Sequence, residues 1–391
     1  MHKFLSWIIV FNLFTLPVFA VQDVDVEDNS TVAPIELDVE ENLNQEEITL
    51  DVDEVEDSVL KGVAVREQKI AEYLQKGLTI NLEGKLVDEI KFGGAYHGFL
   101  SYDRFHDSSN GSVKYDIPVG DMYMLTKFAD KKSELKLMIN PARTVDGIDY
   151  IPGILQDIYF ATKPTENTRL LIGNSRTPIG VEGGQSQYTL LLAKRSQIAR
   201  TYGNIRALGV KLTGDYKWAD YNVGVYDSSR HFYDMFNGPE FTGWVNFKPM
   251  ANLDSDKYGK MLVGTGYNYG KRYNDYSVWG AYVGYEYKKF MINAEYAFAN
   301  GYNGLKNNRA SSDGFYTTLA YRVTPKLELV GRYDLFNPDR RIKNNNRTEI
   351  STGFNYYMMG QNLKFVLNYV FKMYENDRNS DGLYFLTQFM I

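Results

Sequence analysis

The densest charge chemistry in this chain is basic. Lys194, Arg195 and Arg200 lie between Thr177 and Gly203, Arg176 stands just before that stretch and Arg206 just after it, and Glu182 is its one acid. A guanidinium presents a fork of donors that matches an oxyanion, and an ammonium adds a point charge, so the cluster has the right groups to hold or guide anions. Ser196, next to Arg195, adds a hydroxyl donor. Two placements are open. Folded into an enclosed space, the stretch would concentrate positive potential where water is scarce; on the surface it would meet solvent or an anionic envelope.

Other chemistries find little support. There is no cysteine, which removes disulfides, zinc-thiolate sites and thiol catalysis together. Downstream of residue 20 the histidines are His97, His106 and His231. No nucleotide-binding glycine loop, zinc-binding helix motif or serine nucleophile elbow stands in a supporting context, so no enzyme, cofactor, metal centre or nucleic-acid partner is expected. His97 would be the first suspect in a hydrolase assembled across strands. Asp377-Arg378-Asn379-Ser380-Asp381-Gly382 imitates the start of a calcium loop, but Gln388 occupies the twelfth position where a bidentate Glu is needed.

The charge is unevenly distributed along the 391 residues. Up to residue 60 there are 15 acids against Lys3 alone, which leaves 34 acidic and 42 basic residues from Lys61 onward, a body of about +8 inside a chain of net charge -6. Residues 1–20 read as a cleaved export signal: Lys3, an apolar stretch from Phe4 to Leu16, and a cut after Ala20. Residues 21–60 are acidic and aromatic-poor, the composition of a disordered periplasmic linker. Within 61–84, Ile70 and Leu74 lie one helical turn apart in Val63 to Lys76, a pattern for a short amphipathic helix.

From residue 85 the period is two. In Lys289 to Ala299, Phe290, Ile292, Ala294, Tyr296 and Phe298 share one face, while Met291, Asn293, Glu295 and Ala297 share the other. The split recurs in Leu327 to Leu335 and Leu363 to Phe371, giving about sixteen strands between residues 89 and 391. Ten residues at about 3.3 Å each, tilted by about 45°, rise roughly 23 Å, the height of an apolar membrane band. Short turns (130–132, 163–167, 324–325, 359–361) alternate with long connections (104–118, 177–203, 228–240, 300–312, 337–347), and the turn near 250–260 is longer than its class. With 15% aromatic residues, many of them at strand ends, this pattern predicts an all-β, antiparallel transmembrane barrel over 85–391. About sixteen strands leave a water-filled lumen.

Strand parity places Lys136, Lys211, Arg322, Arg332, Lys364 and Lys372 on the inner face. Such cations either bias a pore toward anions or simply keep the wall hydrated. The run Leu171-Ile172-Gly173-Asn174-Ser175-Arg176-Thr177-Pro178-Ile179-Gly180-Val181-Glu182, with Ala193-Lys194-Arg195-Ser196 and Arg206-Ala207-Leu208-Gly209-Val210 after it, resembles the phosphate-selective porin (porin O/P) family. That resemblance implies a sixteen-stranded homotrimer in the outer membrane of a diderm bacterium, with the third loop dipped into the lumen and basic residues guiding phosphate or related small anions. On this likeness Arg176 matches the basic residue of the glycine-to-proline motif and Arg195-Ser196 a basic-plus-hydroxyl pair, whereas Lys194 replaces an acid. The sequence therefore predicts passive diffusion of small anions past a constriction formed by Arg176, Lys194, Arg195, Ser196, Arg200 and Arg206, with lipid and lipopolysaccharide around the wall. The competing reading is a structural or binding barrel, an adhesin or envelope tether, with a plugged lumen.

Overall fold

A computed structural model describes residues 78–391 except 83, 143–153, 229–237, 302, 303 and 305–309. The expectations for Ala20, for the linker 21–60, for a helix over Val63 to Lys76 and for His231 fall outside the described residues. Seventeen strands are described: β1 (Leu78–Asn81), β2 (Val87–Phe105), β3 (Ser112–Phe128), β4 (Ser133–Ile139), β5 (Leu155–Thr165), β6 (Thr168–Arg176), β7 (Arg206–Asp215), β8 (Ala219–Asp227), β9 (Pro239–Phe247), β10 (Lys260–Lys271), β11 (Asp275–Tyr287), β12 (Phe290–Asn300), β13 (Ser311–Arg322), β14 (Leu327–Asn337), β15 (Arg347–Tyr357), β16 (Leu363–Tyr374) and β17 (Ser380–Met390).

From β2 to β17 each strand pairs antiparallel with the next, and β17 returns to β2 from Ser380↔Phe105 to Met390↔Ala95, closing a sixteen-stranded barrel. Closure leaves no free edge, as a wall standing in lipid requires. The expected parity holds. On β14, Glu328, Val330, Arg332, Asp334 and Phe336 are buried on the inner face, while Leu329 and Tyr333 point outward and are exposed. On β16, Lys364, Val366, Asn368 and Val370 are buried inside and Tyr369 faces out.

Within the segment 61–84, Leu78–Asn81 form a strand, β1, that follows the stretch Val63 to Lys76 read as a helix. Leu78, Ile80 and Leu82 alternate as exposed outward residues, and β1 pairs with the stretch of β2 from Glu89 to Phe92. β17 stops opposite Ala95, so the short strand continues the same edge of β2.

The long connection expected over 104–118 shrinks to 106–111. Pro118 and Asp116 read as loop residues, but they sit at a bulge where the β2–β3 register shifts between His97 and Phe99. A proline, which cannot donate to the ladder, is tolerated there. At the opposite end the turn 248–259 is indeed long, and it contains a short helix, Ser255–Tyr258, whose N-cap Asp254 accepts from the Asp256 N–H at 3.0 Å.

Candidate functional site

The connection between β6 and β7 folds inside the barrel because part of the inner wall is apolar. Val278, Ala297, Ala299, Tyr316 and Phe336 point inward, and Ile179, Ile198 and Tyr202 of the loop pack on them. Three short helical pieces shape the loop: α1 (Val181–Gly184), a 3-10 turn (Gln187–Thr189) and α2 (Gln197–Tyr202). Gly180 enters α1 at φ +73°, in the left-handed region, with its backbone against the Glu295 carboxylate. A side chain at that position would be strained and would collide with that acid.

Polar anchors then fix the loop to the wall. Glu295 accepts from the backbone N–H groups of Val181 (2.9 Å) and Glu182 (3.2 Å) and from the Tyr316 hydroxyl (2.8 Å). Glu182 pairs with Arg332, both nearly inaccessible, and accepts from the Ser196 N–H at 2.7 Å. Asp334 accepts from the Gln197 N–H at 2.8 Å, Glu349 takes Arg200 through both oxygens (2.9 and 3.0 Å), and Asn368 accepts from the Ala193 N–H at 2.8 Å. Lys364 donates to the carbonyls of Tyr188 and Leu190, each at 3.1 Å, and the Tyr188 hydroxyl reaches Asp121 on β3. Of the two placements the sequence left open, the geometry is the inner one: the loop spans from the β12–β17 wall to β3.

The cations named from sequence do different jobs, and Arg322 lies at the short β13–β14 turn, bonded to Glu328 and the Pro325 carbonyl. Six of the cations have carboxylate partners. Arg332 pairs with Glu182, Arg200 with Glu349, Lys372 with Asp103 (2.6 Å) and Arg322 with Glu328 (3.0 Å), while Lys136 and Arg206 share Asp157 at 2.9 and 2.8 Å. For the others, no carboxylate lies within ion-pair distance among the described residues. Arg195 and Lys364 are buried and spend their donors on loop carbonyls. Arg176 donates to the Gln185 carbonyl (3.1 Å) and to Asn204 Oδ1 (2.6 Å), and Lys211 donates to the Arg176 carbonyl (3.1 Å). Both are only partly buried.

Arg176 and Arg195 thus converge on one carbonyl oxygen, that of Gln185. Lys194 is exposed, with its ammonium 4.0 Å from the Tyr384 ring centre. The residue as a whole is exposed, but the Phe99 and Tyr384 rings crowd its ammonium and desolvate it, and this, and after it the Lys372 charge, push the ammonium below the usual lysine range. Ser196 takes a different role from the one its neighbour suggested: its hydroxyl accepts from the Ala199 N–H at 3.3 Å and caps α2.

Sequence reasoning missed Asp121, Asp157 and the apolar inner patch on β11–β14. Only a departure from polar alternation, as at Val278, Ala297 and Ala299, could have signalled that patch. His97 bonds Gln388 at 2.9 Å and meets the Tyr188 ring edge-on; His106 lies 3.2 Å from Asp381. Asp381, from the calcium-like run, also accepts from the Tyr369 hydroxyl at 2.6 Å.

The wall is closed and sixteen-stranded, the β6–β7 connection, third on its side of the barrel, folds inward, and cations beside it lack carboxylate partners among the described residues. Residues 245–384 match the family model of phosphate-selective porins O and P. The fold is that of an outer-membrane porin. It is similar to a loop-deleted form of OmpT, an outer-membrane protein of Vibrio cholerae (TM-score 0.58, 12% identity, covering 77% of this chain and 99% of that one). It is also similar to an anion-selective porin from Comamonas acidovorans (TM-score 0.56, 9% identity, 77% and 99% covered) and to OmpF of Salmonella typhi (TM-score 0.56, 13% identity, 80% and 100% covered). No curated protein sequence matches this chain. In porins the long loops are extracellular and the short turns periplasmic, which orients the wall.

Proposed function

We propose that this porin conducts small anions passively through the passage between the inward loop and the β4–β7 wall. The observation that carries this reading is the pair Arg176 and Lys211, partly exposed and without a carboxylate partner among the described residues, beside Arg206 and Lys136, which share a single acid. With the Arg169–Glu134 pair the wall has five cations against Asp157 and Glu134, a positive balance, and an anion there meets several weak donors in place of one tight site, as conduction requires. Phosphate and other small oxyanions fit the guanidinium fork. The likeness to an anion-selective porin at 9% identity supports the architecture of this reading only.

The same reading makes the protein a channel and not an enzyme. It places the protein in the outer membrane of a Gram-negative-type bacterium after export and cleavage behind Ala20, with lipid and lipopolysaccharide around the wall. A homotrimer is the assembly we favour, because the solved OmpT includes a trimer form.

Planar-bilayer recordings in a potassium chloride gradient decide the matter. A reversal potential on the chloride side, with chloride current reduced by added phosphate, is expected. A cation-preferring pore indifferent to phosphate would sink the proposal, and insertion without conductance would favour the plugged adhesin or tether.

A further inference from the structure

The long periplasmic turn has no part in the constriction, yet it closes one side of a cavity. A space of about 550 Å³ lies between that turn and the inner face of β10–β12 at the periplasmic end of the lumen. The inner parity is clear: Leu262 shares a face with buried Gly264 and Asn268, and Met291 shares one with buried Glu295. Tyr282 lies on the inner face of β11 with its hydroxyl over Gly284, so the ring lies across the strand and forms part of the cavity wall. The turn contributes Met250 and Leu253 from the opposite side. The Tyr285 hydroxyl donates to the Tyr258 carbonyl at 2.8 Å and ties the end of the turn to the barrel.

Charge around the space is mixed but tilts positive. Lys217, Lys248 and Lys260 line it with Glu286. Lys248 is satisfied by Asp215 (2.6 Å) and Asp220 (3.4 Å), whereas Lys217 and Lys260 have no carboxylate within ion-pair distance among the described residues. The volume falls in the range of small-molecule sites, about 300–1,000 Å³, and such sites combine an apolar lining with a few polar groups at the edge. A small hydrated ion gains nothing from Leu262, Met291 and Met250. An anion with an apolar body gains from both parts of the lining.

We propose that this cavity is a second solute site, periplasmic of the arginine-lined passage, for an organic anion whose apolar or aromatic body sits on Leu262, Tyr282 and Met291 while its carboxylate faces Lys217 and Lys260. The proposal rests on the channel reading, and it extends the solute class beyond inorganic oxyanions.

The test uses the full mature chain in planar bilayers, with 1-naphthoate as probe and neutral naphthalene-1-methanol as its control, each added to either compartment in potassium chloride. Naphthoate is expected to block the current from the periplasmic side at a half-blocking concentration about tenfold below that of the neutral control. Leu262→Trp, which fills the space, should raise that concentration about tenfold, and Lys217→Gln with Lys260→Gln should raise it about threefold. Arg176→Ala should leave it unchanged. An unaltered half-block in Leu262→Trp overturns the site, equal block by the neutral compound overturns its preference for anions, and loss of block in Arg176→Ala moves the binding to the constriction. A channel whose reversal potential shows no anion preference but which keeps the naphthoate block defeats the selectivity reading alone. An intact barrel in each variant is verified by its strand-rich circular dichroism and unchanged unfolding temperature.

Discussion

The two sides of the lumen contain the same kinds of residue and use them in opposite ways. On β12–β17, Glu295, Arg332, Asp334, Glu349, Asn368 and Lys364 are turned toward the loop and consumed in holding it. On β4–β7, Lys136 and Arg206 share one carboxylate, and Arg176 and Lys211 bond only to carbonyl and amide oxygens. An inward charge in a barrel is therefore not a selectivity element by virtue of its parity. What matters is whether a fixed partner has already taken its field, because a paired cation offers a passing anion little. The body's excess of about +8 becomes useful only where pairing is incomplete.

The largest effect should come from the anchoring side. Glu182→Ala removes the partner of the buried Arg332, and an uncompensated charge in such a place costs about 3–5 kcal/mol. The expected outcome is a loosened loop: a wider, noisier unitary conductance with reduced anion preference and a lower unfolding temperature. If conductance and unfolding were both unchanged, the loop would not be held as described. On the conducting side Arg176→Ala should behave differently. It should move the reversal potential toward the cation side while stability stays within about 1 kcal/mol, since the site is partly hydrated. Equal losses of stability in the two variants would erase the distinction between the walls.

How far the sequence carried the reading can be seen in particular residues. Phe290, Ile292, Tyr296 and Phe298 against Glu295 and Ala297 were legible because a strand alternates with period two and a membrane punishes any slip. The loop's basic composition was legible too, as was the length of the turn at 248–259. Which cations stay bare was not. Arg176 and Arg200 look alike in sequence, yet one meets a carbonyl and the other meets Glu349, 149 positions away. Ser196 looked like a donor to solutes and is a helix cap, because Gln197 to Tyr202 after it form a helical turn. β1 was missed because four residues are too few for a period to speak.

A smaller effect runs in the opposite direction and sharpens the comparison. Asp157 holds both Lys136 and Arg206, so Asp157→Asn should free two cations and make the conducting wall resemble a fully bare one. Chloride over potassium preference is expected to rise by up to about threefold, while phosphate leaves more slowly and saturates the current at lower concentration. A fall in anion preference would mean that the two cations need the acid to be positioned, and that their pairing serves the wall and not the solute.

The smallest effect concerns Lys194, the exposed cation on the loop's far side. Its pKa is depressed by desolvation of the ammonium against the Phe99 and Tyr384 rings and then by Lys372, so its charge is lost, as pH rises, earlier than that of a free lysine. Anion preference should therefore sag slightly on the alkaline side before ordinary lysines titrate, at about pH 10.4. Lys194→Arg, which keeps its charge throughout that range, should remove that residue's share of the sag without altering preference at neutral pH. If the arginine variant keeps the same alkaline profile, the titrating group lies elsewhere on the wall, and Lys194 belongs with the cations that serve only to seat the loop against Tyr384.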